Sequence, residues 1–472
     1  MARVIARERP EPAAIARLLE HYDQPGPRYT SYPTAVEFHE GFGERDYRER
    51  LAAADARAGE PLSLYAHLPF CEARCLYCGC NIVVTTHRGI AAGYLENLLL
   101  EVELLASHLP HRRELSQIHW GGGTPTYYPA ADLARLFDAI ARRFSFTPGA
   151  EVGIEVDPRV TSTEQVRVLR RLGFNRLSMG IQDFDARVQE AVHRVQGFEQ
   201  TAELIRVARA EGFRSVNVDL IYGLPYQTPE GFRRTLEQVV ELRPERVAVY
   251  SFAFVPWIKP HMNHIPSEAL PAPAVKLRLL ALAIDAFTRA GYRTIGMDHF
   301  ALPEDDLAQA TDHGTLHRNF MGYTVQSASD LVALGISGIG DVHGAFAQNL
   351  KKLPEYAAAL ADRRFPIARG YALDADDLLR RHVITRLMCD ARLDIRDVES
   401  RFGISFANTF AVELGELAGR GPYRTDGLLT LTRDAIELTA LGRMFVRNVC
   451  MVFDRHLRRR GGSERPVFSR TV

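Results

Sequence analysis

From about residue 60 to residue 300 the sequence alternates between two textures. Short β-rich runs stand at 63–67, 117–120, 151–156, 176–179, 215–221, 246–252 and 293–297, and amphipathic helical patterns fill most of the gaps, at 94–109, 131–144, 163–172, 200–211 and 231–242. Strands alternating with helices are βαβ units and build a parallel sheet. Six or seven such units suffice for a partial or full TIM-type (β/α) barrel. The fold class is therefore α/β.

The residues just past each strand carry the chemistry. The first run leads into Cys71, Cys75, Cys78 and Cys80, and the second into Gly121-Gly122-Gly123-Thr124-Pro125-Thr126. The third ends in Glu155-Val156-Asp157-Pro158, the fourth runs into Gln182-Asp183-Phe184, and the fifth closes on Asp219-Leu220-Ile221-Tyr222-Gly223-Leu224-Pro225. In a parallel barrel the C-terminal strand ends form one face, and the active site sits there.

Four of the six cysteines lie within ten residues, whereas Cys389 and Cys450 stand alone in apolar surroundings and read as buried thiols. Clustered cysteines in a cytosolic chain indicate metal binding or redox chemistry. Three close thiolates are soft ligands suited to an iron–sulfur cluster. The rival is zinc with Cys80 as fourth ligand, although structural zinc usually draws on two separated pairs.

Composition excludes several classes. There are 58 basic and 58 acidic residues, which argues against a general nucleic-acid or membrane-surface binder. With 46% hydrophobic and 25% charged residues the chain is an ordinary globular one, neither disordered nor a disulfide scaffold. Only 4 of the 58 basic residues are Lys, an arginine skew spread along the whole chain, so being arginine singles out no residue. No stretch approaches the roughly 18 apolar residues of a membrane span. The first ten residues lack the apolar core of a signal peptide, and Glu8 and Glu11 count against a transit peptide. The expectation is a cytoplasmic protein.

Outside the alternating region, residues 1–55 hold a short helical pattern at 15–20 and an extended arm, Pro27-Arg28-Tyr29-Thr30-Ser31-Tyr32-Pro33-Thr34, in which two prolines disfavour helix. The barrel is expected over 56–365. Residues 366–472 form a smaller, mostly helical C-terminal domain with patterns at 375–389, 395–401, 406–418 and 438–457 and a hairpin within 421–431. A winged helix would share these elements, but a chain without net basic charge does not invite DNA. The basic run 455–460 is expected as a solvated helix end. No long exposed apolar stripe asks for a partner, so a monomer is expected.

Cys-x3-Cys-x2-Cys with Tyr77 before the last Cys resembles the signature of the radical S-adenosylmethionine (SAM) superfamily, and Gly121–Pro125 resembles its glycine-rich strand end. Within it the chain is similar to the oxygen-independent coproporphyrinogen III oxidase family. The likeness runs through Tyr65–Cys71, Cys78–Asn81, His119–Thr126, Glu155–Arg159, Asn175–Gly180, Asp219–Pro225, Gly296–Phe300 and Leu316–Phe320. It spans nearly the whole chain, from Pro27 to Cys450. Related haem-chaperone proteins share the barrel but generally carry an aromatic where Cys80 stands.

The resemblance implies a 4Fe-4S cluster on Cys71, Cys75 and Cys78, with one iron left for SAM. It also implies two SAM molecules: Tyr65, Gly122, Glu155 and Ile339 would contact the first, and Tyr77, Gly123, Thr124, Gln182, Arg194, Asp219 and Ala253 the second. The implied reaction begins with one-electron cleavage of SAM to methionine and a 5′-deoxyadenosyl radical. The radical takes hydrogen from a propionate β-carbon of coproporphyrinogen III; loss of carbon dioxide and one electron leaves a vinyl group, and a second round gives protoporphyrinogen IX. The electron donor and acceptor stay unidentified. The substrate's four carboxylates would be met by Arg28, Tyr29, Arg318 or His317, with His299 and His317 equally readable as structural. His67 shares a strand face with Tyr65, and the resemblance gives it cluster tuning or proton supply; Cys80 would be no ligand.

One departure stands out. The family usually reads Ile-Gly-Asp before its aromatic-Ala-Gln-Asn segment, where this chain has Val342-His343-Gly344-Ala345 before Phe346-Ala347-Gln348-Asn349. Two other classes stay open: a haem-binding chaperone on the same barrel, which Cys80 and the long C-terminal domain disfavour, and a zinc-stabilised interaction protein, which leaves the glycine and carboxylate strand ends unexplained.

Overall fold

A computed structural model describes residues 12–326, 328–420, 422–460 and 467–471. The first ten residues and Glu11, on which the expected lack of a signal or transit peptide rests, lie outside these, as does Gly421 of the expected hairpin. Among the described residues no helix is long and apolar enough to cross a membrane.

Twelve strands form one sheet. Seven in succession are parallel, in the order Leu331–Leu334, Leu62–Leu68, Glu114–Gly122, Ser145–Val156, Arg176–Gln182, Ser215–Tyr222 and Arg246–Ser251. Antiparallel strands extend both edges: His299–Ala301 and Arg293–Ile295 on one, Ile339–Val342, Ala345–Asn349 and Ile367–Ala372 on the other. The two edges do not pair, so the barrel is partial.

Two assignments change. The run at 293–297 is not the next parallel strand but the outermost one, beyond His299–Ala301. Gly296, with φ +55°, turns the chain within three residues, and so short a link can only join antiparallel neighbours. The seventh parallel strand is instead Leu331–Leu334, whose four buried residues are too few to show a period.

The inner strands alternate. Ile118, Trp120, Val152, Ile154, Leu177, Met179, Val216 and Val218 are buried towards the outer helices. The intervening Gln117, His119, Glu151, Glu155, Ser178, Asn217 and Asp219 line a cavity of about 120 Å³. Parallel strands covered on both faces usually read as continuous apolar runs. These do not, because their inner face bounds a polar chamber rather than a packed core.

Helix Arg88–His108 braces the stretch that follows the strand Leu331–Leu334. Its buried Glu101 accepts from Gly335 N (2.6 Å), Asn349 Nδ2 (2.7 Å) and the Tyr356 hydroxyl. Burial outweighs these bonds and pushes the carboxyl up to about 7. The unfolded chain releases this proton near pH 4.5, while the folded chain keeps it until about 7. The contribution is thus most favourable below pH 4.5 and is lost as pH rises to 7. Urea midpoints should show Glu101→Gln removing a loss on the order of 1–3 kcal/mol over that window; an unchanged slope would place the titration elsewhere.

The arm crosses to both other parts. Arg28 donates to Ser251 O (2.6 Å) on the barrel, Tyr29 OH donates to Asp454 (3.0 Å), and Arg447 donates to Pro27 O (2.8 Å). A helix at Glu44–Asp55, which the sequence pattern did not mark, precedes the barrel.

The C-terminal part holds helix Ala375–Asp390 and a three-stranded sheet of Arg392–Asp394, Ala435–Leu438 and Leu429–Leu431. The helices expected at 406–418 and 438–457 are interrupted. They become Phe406–Thr409, Ala411–Gly415 and Glu416–Arg420, and Ala440–Met444, Val446–Val452 and Arg455–Arg460. The breaks fall at Phe410, Phe445 and Phe453, which are almost wholly buried, so the axis bends where a ring must enter the core. The basic run 455–460 is not a solvated end: Arg455 meets Asp374, Asp376 and Asp377, Arg458 meets Glu416, and Arg460 meets Glu37. Cys389 and Cys450 are buried thiols.

Candidate active site at the barrel mouth

The cysteine loop leaves the first strand after Leu68. Cys75 is buried, Cys71 and Cys78 are half-buried, and Cys80 is exposed; none forms a disulfide. Cys71 Sγ lies 3.5 Å from Thr124 Oγ1, but burial pushes its thiol up to about 11. The Cys78 thiol is pulled down to about 6, chiefly by a hydrogen bond from Cys80, which is raised in turn. Arg159 Nη2 and Arg194 Nη1 approach Cys75 Sγ at 3.7 and 3.8 Å. Three undisulfided thiols with guanidinium donors beside them fit the donor set of an iron–sulfur cubane. Among the described residues no three such side chains gather round a single ion position.

The glycine strand end is a close-packed cradle. A Cβ on Gly121 would stand 2.8 Å from the Glu155 carboxylate, and one on Gly123 would stand 2.6 Å from the backbone of Pro69. Gly122 has φ +116°, a conformation side chains resist, and its Cβ would meet the His67 ring at 2.5 Å. Gly122→Ala should therefore lower the urea midpoint by a loss of roughly 1–3 kcal/mol, since the folded chain must hold a side chain at positive φ. An unchanged midpoint would show that the strand end relaxes without cost.

Four groups meet beside the cradle. Glu155 accepts from Gly122 N (3.0 Å) and stands 3.5 Å from His119 Nε2. Burial works to raise its carboxyl, but His119 and the Gly122 N–H hold it below the ordinary value. His67 donates from Nε2 to Asn81 O (2.9 Å), which leaves Nδ1 to accept from Tyr65 OH (3.0 Å). Burial lowers His67, so the neutral ring is its resting form. Tyr65 and His67 thus share a face, as their spacing predicts.

A second corner gathers Asp157, Arg159, Arg194, Gln182 and Tyr77. Arg194 pairs with Asp157 (3.0 Å) and donates to Gly180 O (2.7 Å). Gln182 sits at φ +67° against Gly180. Arg194 Nε and Gln182 Oε1 are buried without a hydrogen-bond partner, an arrangement that a polar ligand would satisfy. Burial pushes the Tyr77 phenol up. Asp219, held by Asn217 (2.8 Å), is raised by burial to about 6 and faces the cavity with Glu155.

The remaining candidates lie further round the mouth. Arg318 stacks over Tyr323 (4.4 Å), with Nε and Nη1 buried and unpartnered. Tyr29 lines a pocket with Arg318, though its hydroxyl is committed to Asp454. His299 bonds Asp298 (2.6 Å), whose carboxyl is held down to about 2 by His299, Arg318 and Arg28 against the effect of burial. His317 opens a short strand and is lowered by burial. Ile339 begins the strand after the Gly335 turn, and Ala253 follows the Arg246–Ser251 strand. The expected departure is narrower than the sequence reading has it: Ile339-Gly340-Asp341 is itself an Ile-Gly-Asp run on the strand Ile339–Val342, where Asp341 pairs with Arg381, and in the turn that follows the His343 N–H bonds Asp330 (2.5 Å).

Sequence reasoning left out Asp157, Arg159 and His119 as site members. His119 lies on the inward face of the strand Glu114–Gly122, whereas Asp157 and Arg159 stand in the turn after the strand Ser145–Val156, where no period of two marks them.

Profile comparison matches residues 65–239 to the radical SAM superfamily and 373–445 to the HemN C-terminal domain. The chain is 43% identical to the oxygen-independent coproporphyrinogen III oxidase of Pseudomonas aeruginosa, over 97% of this chain and 98% of that one. It is 45% identical to the enzyme of that name from Escherichia coli, over 96% and 98%. The solved coproporphyrinogen III oxidase of Escherichia coli, described as a radical SAM enzyme, superposes with a TM-score of 0.88 at 44% identity, covering 94% of this chain and 99% of that one. With its cysteine loop, glycine cradle and carboxylate corner assembled on this fold, the chain belongs to the oxygen-independent coproporphyrinogen III oxidase family of radical SAM enzymes.

Proposed function

We propose that this protein converts two propionate side chains of coproporphyrinogen III to vinyl groups without oxygen, giving protoporphyrinogen IX for haem synthesis. The observation that carries the reading is the meeting of the three-thiol loop, the Gly121–Gly123 cradle and the Glu155 corner at one barrel mouth, in a chain similar throughout its length to enzymes of that name.

Cys71, Cys75 and Cys78 hold a 4Fe-4S cluster, and the cluster with SAM supplies, when bound, the hydrogen-abstracting radical. Tyr65, Gly122, Glu155 and Ile339 receive one SAM. Gly122 and Gly121 allow close backbone approach, and ionised Glu155 accepts from donors on the ligand. Tyr77, Gly123, Thr124, Gln182, Arg194, Asp219 and Ala253 receive the second, with the unpartnered Arg194 Nε and Gln182 Oε1 taking up its polar groups. Neutral His67 can take up a proton at Nδ1 from the side of the Tyr65 hydroxyl. Arg318 and Arg28 face substrate carboxylates, Arg318 with two N–H groups to spare. Cys80 serves the loop by its bond to Cys78 rather than as a ligand.

The arm (1–55) and the C-terminal part (366–472) close the barrel (56–365), and water exclusion of this kind protects reactive intermediates. The protein acts in the cytoplasm as a monomer, away from nucleic acid and membrane, with an external electron donor and acceptor. The relatives' names favour this reading over a haem-binding chaperone. The test is anaerobic: reconstitute with iron and sulfide, add SAM, reductant and coproporphyrinogen III, and chromatograph. Methionine together with protoporphyrin is the expected result. Methionine alone would overturn the substrate, and neither product would overturn the whole reading.

A further inference from the structure

The cysteine loop packs against the segment that comes after the Arg246–Ser251 strand, which includes a short 3-10 helix at Pro260–His264. Its Val255, Met262 and Ile265 pack with Leu76 and Tyr77 of the loop. His261 Nε2 donates to Cys78 O (2.9 Å), and Lys259 Nζ donates to Cys80 O (3.3 Å). Arg74, on the loop itself, reaches the other nitrogen of His261 (3.4 Å). The segment therefore bonds directly to the carbonyls of two of the clustered cysteines.

Its outward side has an unusual composition. Trp257 and Ile258 are 48% and 49% exposed, two large apolar side chains side by side. Residues 254–266 contain no Asp or Glu, while Lys259, His261 and His264 lie among them. Lys351, another of the chain's four lysines, stands near enough that Lys259 adds to burial and Arg369 in lowering its ammonium. An exposed apolar pair followed by Lys259, with Arg74 reaching the same segment at His261, is a local asymmetry that the fold does not need.

We propose that this face, centred on Trp257 and Ile258 and rimmed by Arg74, Lys259 and Lys351, docks the electron donor, and that the donor is a small acidic one-electron carrier protein. The inference rests on the iron–sulfur reading of the loop and names the partner which that reading leaves open. The carrier loses one electron and the centre behind Cys78 and Cys80 gains it; no atom is transferred. Charge complementarity argues for an acidic carrier: cations around an apolar centre steer an anionic protein and hold it in register, and tryptophan is the residue most enriched among binding hot spots. A transient redox contact needs only a small interface, below about 1,200 Å² in total. The route inward is short, through His261 and Lys259 to the cysteine carbonyls.

The test uses the full-length reconstituted protein, an acidic flavodoxin as probe, and the variants Trp257→Ala/Ile258→Ala and Lys259→Gln. Calorimetric titration with oxidised flavodoxin reads binding without turnover. Anaerobic stopped-flow bleaching of the iron–sulfur absorption reads reduction, by reduced flavodoxin and separately by dithionite. Both variants should bind flavodoxin about tenfold more weakly and be reduced by it correspondingly more slowly, as loss of one hot-spot group would give. Dithionite reduction of Trp257→Ala/Ile258→Ala should stay at the wild-type rate. The salt dependence of flavodoxin binding should be shallower in Lys259→Gln. Equal slowing with both donors would make the segment a mere buttress of the loop and overturn the proposal, as would variants that bind like wild type or a wild-type protein that binds no flavodoxin. If dithionite and SAM yield no methionine in the wild type, the proposed function fails instead, while the titration still decides the docking face.

Discussion

Cys75→Ala should lose its iron and its methionine formation together, with cleavage of SAM falling well beyond the ~100-fold that removing a mere supporting partner of a metal site costs. Cys75 is the buried member of the three and lies against Arg159 and Arg194. Its loss leaves two thiols and two facing cations with no anion between them but Asp157. The alanine is smaller than the cysteine, so no clash threatens the fold, and the urea midpoint should shift by no more than the ~1–2 kcal/mol of a small buried truncation. Iron content, visible absorption and methionine yield measure the outcome. A Cys75→Ala protein that retains all three would show that the ligands lie elsewhere. Cys80→Ala gives the complementary result: with three ligands sufficient, its iron stays. Loss of bound metal in Cys80→Ala, with zinc rather than iron in the wild type, would return the four-thiolate reading.

Arg194→Met should separate the two proposed SAM sites. Arg194 is nearly fully buried, with one nitrogen on Asp157, another on Gly180 O and Nε unpartnered. Methionine keeps most of the side-chain volume and removes the charge. Asp157 keeps Arg159 (2.7 Å), so the carboxylate is not stranded and the fold survives. The proposed contact to a ligand carboxylate would be a charge-assisted hydrogen bond of about 1.5–3 kcal/mol, or roughly ten- to 150-fold in affinity. Equilibrium dialysis should find two SAM per wild-type chain and one per variant chain. Methionine should still form, while protoporphyrin falls at least tenfold. Two SAM bound to the variant at unchanged affinity would exclude Arg194 from the second site. One SAM bound to the wild type would remove the second site altogether.

Much of this architecture was legible because two periods are written into the residues. Helix Thr163–Leu172 appears where its pattern begins, capped by Ser162 with Gln165 reaching back and ended by Gly173 at φ +107°. The C-terminal strand ends were legible for a related reason, since polar and glycine residues interrupt otherwise apolar runs at each of them. What failed to show were elements too short to have a period or set by distant partners. Leu331–Leu334 is apolar and brief, and only its pairing with Leu62–Leu68 makes it a barrel strand. The helices broken at Phe410 and Phe445 read as continuous because local propensity carries no record of where an aromatic ring must be buried.

The sequence by itself determined the chemistry on offer: three thiols in one loop, three glycines at the next strand end, and carboxylates at two more, all on one face of a parallel sheet. Those are local facts, set by strand and turn periodicity and by what each side chain can donate, accept or ligate. Only the tertiary structure decided which of them meet. Arg194 joins Cys75 and Asp157 from a different strand unit. Tyr29 is drawn away to Asp454, because a buried phenol must be satisfied. The segment 254–266 closes over the cysteine loop because the apolar backs of Leu76 and Tyr77 need cover. Contacts between residues far apart in sequence depend on how the sheet curls and which surfaces remain to be buried, and no local pattern encodes that.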